Sequence, residues 1–98
     1  MQFVVTAYDF QDAEAIDRRL AMRKAHLAGI TRMVESGNFL SGGAILDESG
    51  KMIGSSAHVE FATRVELESW LKSDPYASGR VWDRVDVRPI KLLSCTKP

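Results

Sequence analysis

In the stretch RRLAMRKAHLAGI, residues 18 to 30, Arg19, Arg23 and His26 recur at intervals of four and three, the spacing that aligns side chains along one edge of a helix. An imidazole has an ordinary pKa of about 6.5, so His26 can exchange a proton near neutrality. Arg23 and Arg19 lie about one and two turns towards the N-terminus. They either hold an anionic group beside the imidazole or are surface cations that pair with Asp or Glu. A histidine at the rim of an apolar helix face also has a purely structural reading, so the helix by itself decides nothing.

Asp74-Pro75-Tyr76 is the second feature. Aspartate before proline is a common helix cap with proline in the first turn, which is sufficient reason for the pair to occur. A capping carboxylate still has acceptor capacity to spare, and because it is held rigidly it can orient a histidine tautomer and stabilise the imidazolium. Asp9 and Asp12 are rival carboxylates near the start of the helix, and they read more simply as turn and cap residues. Nucleophilic chemistry has weaker support. Cys95 sits in the tail SCTKP with no histidine nearby in sequence, and Ser41, Ser55 and Ser56 lack the context of a nucleophile elbow. His58 falls on the opposite side of its strand from Ser55 and reads as structural or exposed.

Glycine pairs and small residues mark where a ligand could approach. Gly42-Gly43 inside a strand signals a bulge or a close approach of ligand or backbone, and Gly54-Ser55-Ser56 lightens the strand beside it. The serine hydroxyls there bond either a ligand or each other across the hairpin. Neither GxxxxGK[ST] nor GxGxxG occurs, and no Cys/His cluster has zinc spacing, so no nucleotide, metal or other cofactor is expected.

The elements that must position these groups follow from pattern. QFVVTAY, residues 2 to 8, is a strand rich in β-branched and aromatic residues. A long helix follows, expected to be capped by Asp12, to run to Val34 and to stop at Ser36-Gly37. Ile16, Leu20, Leu27, Ile30 and Val34 fall within about 80° of arc, which predicts a core-facing stripe. Taking Leu27 as zero, Arg23, Arg19 and His26 lie at about −40°, −80° and −100°, along one rim of that stripe. Residues 39 to 46 and 51 to 61 flank DESG and form a hairpin. Thr63 and Glu66 make a capping box for a helix carrying Val65, Trp70 and Leu71, which ends at SDPY. Trp70, Trp82, Phe39 and Phe61 read as packing residues rather than a cofactor box. The last strand, 81 to 93, contains Pro89, which favours an edge position or a bulge.

The order βαββαβ predicts an α+β, ferredoxin-like sandwich, a four-stranded antiparallel sheet with both helices on one face. Phe3, Val5, Val85 and Val87 alternate with other apolar residues such as Val4 and Trp82, so both faces of the sheet are expected to be apolar. A homodimer through the uncovered face follows from that expectation.

Ninety-eight residues with 45% hydrophobic content suit one domain, residues 1–98. Thirteen basic and thirteen acidic side chains cancel, which argues against nucleic acid as a partner. No run of eighteen apolar residues occurs, so no membrane span is expected, and the single cysteine favours a reducing, cytoplasmic setting.

Taken together, RRLAMRKAHL, GNFLSGGAILDESGKMIGS and DPYASGRVWDRVDVRPIK resemble, over nearly the whole chain, the YCII-related (YciI-like) family of small dimeric ferredoxin-like α/β barrel proteins. Arg-x-x-His-Leu at Arg23 to Leu27, Asp-Pro-Tyr at Asp74 to Tyr76 and Val-x-Pro at Val87 to Pro89 carry the resemblance. It implies a His26 and Asp74 pair as the active site, in a cleft between helices and sheet with Arg23 available for an anion. Arg19, Gly42, Gly43, Ser55 and Tyr76 complete the expected substrate-binding set. The function expected is a cofactor-free lyase or isomerase that moves a proton on a small anionic or hydroxylated ring compound. The competing reading is a dimeric module that binds a small ligand, for regulation or sensing, without turnover. A pure oligomerisation scaffold would explain an open sheet face but not the arrangement of Arg23, His26 and Asp74.

Overall fold

The structure, a computed structural model, describes residues 1–93, so Cys95 lies outside the described residues. In chain order the elements are β1 (Gln2–Asp9), α1 (Ala15–Ser36), β2 (Phe39–Leu46), β3 (Met52–Glu60), α2 (Arg64–Ser73), α3 (Pro75–Ser78) and β4 (Trp82–Pro89). The strands pair antiparallel in the order β2-β3-β1-β4. This is a ferredoxin-like α+β fold, with helices on one side of a four-stranded sheet. Pro89 closes β4 on an edge, where its missing donor disturbs no inner ladder.

Local signals explain most boundaries. The Asp47 carboxylate accepts the backbone N–H groups of Ser49 and Lys51 at 2.9 and 3.0 Å, which folds the β2–β3 turn. Thr63 Oγ1 accepts the Glu66 N–H at 3.2 Å and starts α2. Gly37, at φ 82°, ends α1 in the left-handed conformation that favours glycine. The expected cap at Asp12 is not there. α1 begins at Ala15 without a side-chain cap, and the Asp12 carboxylate instead grips Arg18 through both oxygens, 2.7 Å each. Asp12 lies a turn before the helix, where its backbone carbonyl accepts the Ala15 N–H, so its side chain is free to meet a guanidinium.

Strand alternation puts Phe3, Val5, Ala7 and Asp9 of β1 beneath the helices, all four buried. The register adds Val59, Ala57 and Ser55 of β3 to that face. Phe3, Val5, Val59, Phe61 and Leu67 form the main core, against which Met33, Trp70 and Leu71 pack. Full burial of a side chain such as Leu67 is worth about 1.5–3 kcal/mol. A second cluster, Ala7, Tyr76, Val81 and Trp82, joins α3 to β4 and receives Met22 from α1.

Two expectations about apolar faces fail. α1 does not turn its leucine stripe inward: Leu20, Leu27 and Val34 are 54%, 42% and 55% exposed, whereas Arg19 is 3% exposed. The inward face is made by Ala15, Arg19, Met22, His26 and Met33, about a quarter turn away. Small and flexible residues pack there, and the guanidinium and the imidazole find carboxylates below. The uncovered sheet face is also more polar than expected. Phe3, Val5 and Val87 belong to the covered side, and the register leaves Val4, Thr6, Tyr8, Ile45, Ser56, His58, Arg84, Asp86 and Arg88 on the other. Among the described residues no helix is long and apolar enough to cross a membrane.

Candidate active site

Asp74 sits at a corner that two helices define. It ends α2 and caps α3, with φ −67° and ψ 134°, the extended conformation that a following proline favours. Its Oδ1 accepts the Tyr76 backbone N–H at 2.8 Å. The same carboxylate lies 2.9 Å (Oδ1) and 3.0 Å (Oδ2) from Nδ1 of His26. Both side chains are largely buried, at 13% exposure for His26 and 3% for Asp74. Facing a carboxylate, Nδ1 carries hydrogen, and in the neutral imidazole Nε2 is then an acceptor. Nε2 has no hydrogen bond among the described residues.

Aromatic rings fix the imidazole in place. It stacks on Tyr76, with centroids 3.9 Å apart and planes 11° from parallel, and meets the edge of Trp82 at 6.2 Å. Burial pushes the Tyr76 phenol above its ordinary pKa, while Arg19 and Arg23 pull it the other way. At neutral pH it therefore stays a neutral hydroxyl.

Arg19 organises the rear of the site. Nη1 donates to both oxygens of Asp9 at 2.9 Å, and Nη2 donates to Ser55 Oγ at 2.9 Å. The guanidinium also lies 4.8 Å from the Tyr76 ring centroid. Ser55 Oγ accepts a further bond from Trp82 Nε1 at 3.2 Å. Burial raises the Asp9 carboxyl above its ordinary value, opposed by the hydrogen bonds and charge of Arg19. Among the described residues Arg19 Nε has no partner. A buried charge without a partner costs several kcal/mol, so Asp9 and Arg19 hold each other in place.

Apart from Asp9 and Asp74, which lie behind its wall, these groups line a cavity of about 240 Å³ between α1 and the sheet. Arg19, Arg23, His26, Gly42, Gly43, Ser55 and Tyr76 all contribute to its wall, with Leu27, Ile30 and Trp82. Its space comes from small residues, Ala7, Ala44 and Ala57. At Gly42 a Cβ would stand 2.5 Å from the Ser56 carbonyl oxygen and 2.7 Å from the Phe39 ring. This is the close backbone approach expected of a strand glycine, next to a register shift between Phe39 and Ser41. Arg23 is exposed and makes no ion pair among the described residues.

The structure thus brings His26 and Asp74 into hydrogen-bond contact, with Arg23 at the same cavity. Arg19, expected as an anion holder, is instead neutralised by Asp9. Asp9 is the residue that sequence reasoning missed as part of the site, having read it as a turn. The signal was present: alternation from Phe3 puts Asp9 in phase with the buried face, where a carboxylate needs a cationic partner. Trp82, read only as packing, also supplies a hydrogen bond. His58 lies on the uncovered face, its Nδ1 2.8 Å from Ser41 Oγ and away from the cavity. Among the described residues no group of three or more His, Cys, Asp and Glu side chains could hold a metal ion.

Residues 1–91 match the family model of the YCII-related domain. Protein YciI of Escherichia coli O6:H1 is 30% identical over 99 aligned residues, which cover 95% of this chain and 99% of that protein. An uncharacterized protein of Haemophilus influenzae shows the same identity and coverage. Among solved structures, the 5-chloro-2-hydroxyhydroquinone dehydrochlorinase TftG of Burkholderia phenoliruptrix, in complex with 2,5-dihydroxybenzoquinone, superimposes with a TM-score of 0.81. It is 22% identical, with 93% of this chain and 94% of that chain covered.

Proposed function

The chain belongs to the YCII-related family, and from that premise we propose that it is a cofactor-free enzyme of lyase or isomerase type, acting on a small anionic or hydroxylated ring compound. The observation that carries this reading is the contact of 2.9 Å between His26 Nδ1 and Asp74, at the wall of a cavity with Nε2 unengaged. Nε2 takes a proton from the substrate, and Asp74 holds the tautomer and stabilises the imidazolium that results. Arg23 attracts the anionic group. A cavity of about 240 Å³ is smaller than the roughly 300–1,000 Å³ of sites for drug-sized ligands, and suits one ring with few substituents. TftG, a dehydrochlorinase with the same fold, has a hydroxylated ring in its complex, which agrees with that class.

Screening hydroxylated rings, 2,5-dihydroxybenzoquinone among them, by thermal shift and then by turnover tests the proposal. With a converted compound in hand, His26→Asn should keep the fold and lower turnover about 10²- to 10⁴-fold. Asp74→Asn should also slow turnover while still capping α3, because asparagine caps about as well as aspartate. Full activity in His26→Asn ends the mechanism. A ligand that stabilises the protein and is never converted makes the chain a binding module.

The proposal includes a cytoplasmic homodimer, joined through the uncovered sheet face. Support comes from Val4 and the 40% exposed Tyr8 on that face, set among polar residues that could pair across it. Light scattering at micromolar concentration should give twice the chain mass, and a monomer removes this part.

A further inference from the structure

The donors around Ser55 leave its hydroxyl hydrogen one direction to go. Oγ accepts from Arg19 Nη2 at 2.9 Å and from Trp82 Nε1 at 3.2 Å. Guanidinium and indole nitrogens donate and never accept, so neither bond can be reversed. A serine oxygen has two lone pairs and one hydrogen, so both lone pairs are in use and the hydrogen must be given away. Among the described residues no acceptor receives it, and Ser55 lines the cavity. Arg19 cannot swing aside to release the hydroxyl, because it is 3% exposed and tied to both oxygens of Asp9.

We propose that Ser55 determines specificity: it is a fixed O–H donor that takes a ring carbonyl oxygen, or the enolate oxygen formed from it, and so selects cyclic ketones, enols and quinones over plain phenols. A cationic donor on Oγ polarises the O–H bond and strengthens its donation, which suits an oxygen that gains negative charge. The inference rests on the proton-transfer reading for its chemical step, though not for binding. In that step, which a cyclic ketone can undergo and a quinone cannot, a saturated ring C–H bond beside the carbonyl breaks, and its proton passes to His26 Nε2. The electron pair shifts so that C=O becomes C–O⁻ hydrogen-bonded to Ser55, and no oxidant or reductant is used. Return of the proton to another carbon completes an isomerisation.

Two probes of matched size separate the alternatives: cyclohexane-1,3-dione, an enolate at neutral pH, and resorcinol, its aromatic diol counterpart. Calorimetric titration of the intact chain should show the dione bound more tightly. Ser55→Ala should cut that preference about 10- to 100-fold, the worth of a hydrogen bond to a charged group, while Ser55→Thr keeps it. Whatever Arg23 contributes remains in both variants. Ser55→Ala orphans two buried donors, so Trp82→Phe serves if that variant fails to fold. It frees one lone pair on Oγ, lets the hydroxyl turn, and should also reduce the preference. An undiminished preference in these variants overturns the proposal, as does a wild-type chain that prefers resorcinol or binds neither probe. A Ser55-dependent preference without turnover of any ring compound sinks the proton-transfer reading alone, and His26-dependent turnover without that preference sinks only this one.

Discussion

On the face of β1 beneath the helices, Phe3 and Val5 are buried with Val59, Phe61 and Leu67, whereas two and four residues past Val5 the same face carries Ala7 and Asp9. One end is filled with large apolar side chains. The other has small ones, and its buried polar side chains are matched in pairs, Arg19 with Asp9 and His26 with Asp74. The cavity therefore arises where side-chain volume is withheld along continuous strands. Once space is opened inside a protein, the polar groups lining it must satisfy one another, because water no longer does so freely. Apolar packing and polar pairing are thus separated along a single strand.

Breaking the paired end should cost most. Asp9→Ala leaves the Arg19 guanidinium buried without its carboxylate and should destabilise the chain by about 3–5 kcal/mol in a denaturant titration, with most of the loss recovered when Arg19→Met is added. At the filled end Leu67→Ala should cost about 2–5 kcal/mol through the hole it leaves, and no second substitution of a charge should rescue it. Equal behaviour of the two sites would erase the distinction between them. Ala57→Leu inserts volume into the open end, so it should change stability by less than about 1 kcal/mol yet abolish the thermal shift given by a ring ligand.

The smallest effect contrasts two aspartates. Burial raises Asp9 above the ordinary 3.8, so its contribution to stability declines as pH rises from 3.8 through the raised value. Asp12, exposed and hydrogen-bonded to Arg18, is lowered from 3.8 to about 2, so it stabilises the fold above 3.8 and the contribution is lost as pH falls through about 2. A melting-temperature difference between wild type and Asp12→Asn should accordingly be present at about pH 6 and gone by about pH 2.

What could be read along the chain was what local chemistry encodes. The hairpin around DESG, the start of α2 at Thr63 and the corner at Asp74-Pro75 depend on neighbours within a few positions, and all are found where the sequence predicts them. The rotation of α1 was hidden because it depends on partners elsewhere. Leu20, Leu27 and Val34 form the better apolar stripe, but Arg19 and His26 turn inward because Asp9 and Asp74 await them, the latter 48 residues away. Family motifs pointed to His26 and Asp74, while periodicity alone put His26 only at a rim. The commitment of the Ser55 hydroxyl depends on Trp82, 27 residues on, and spacing does not encode it.

Asp74 Oδ1 accepts the Tyr76 amide at 2.8 Å while lying 2.9 Å from His26 Nδ1. One oxygen thus belongs to a helix cap and to the contact with His26, and the Tyr76 N–H is wired to both. In a nitrogen-15 labelled sample, the resonance of that single amide reports the charge on the carboxylate and whatever alters its bond to the imidazole. A ligand that engages Nε2 will move the Tyr76 peak without touching its backbone. The fold carries its own spectroscopic readout of the contact between His26 and Asp74, and no probe need be attached there.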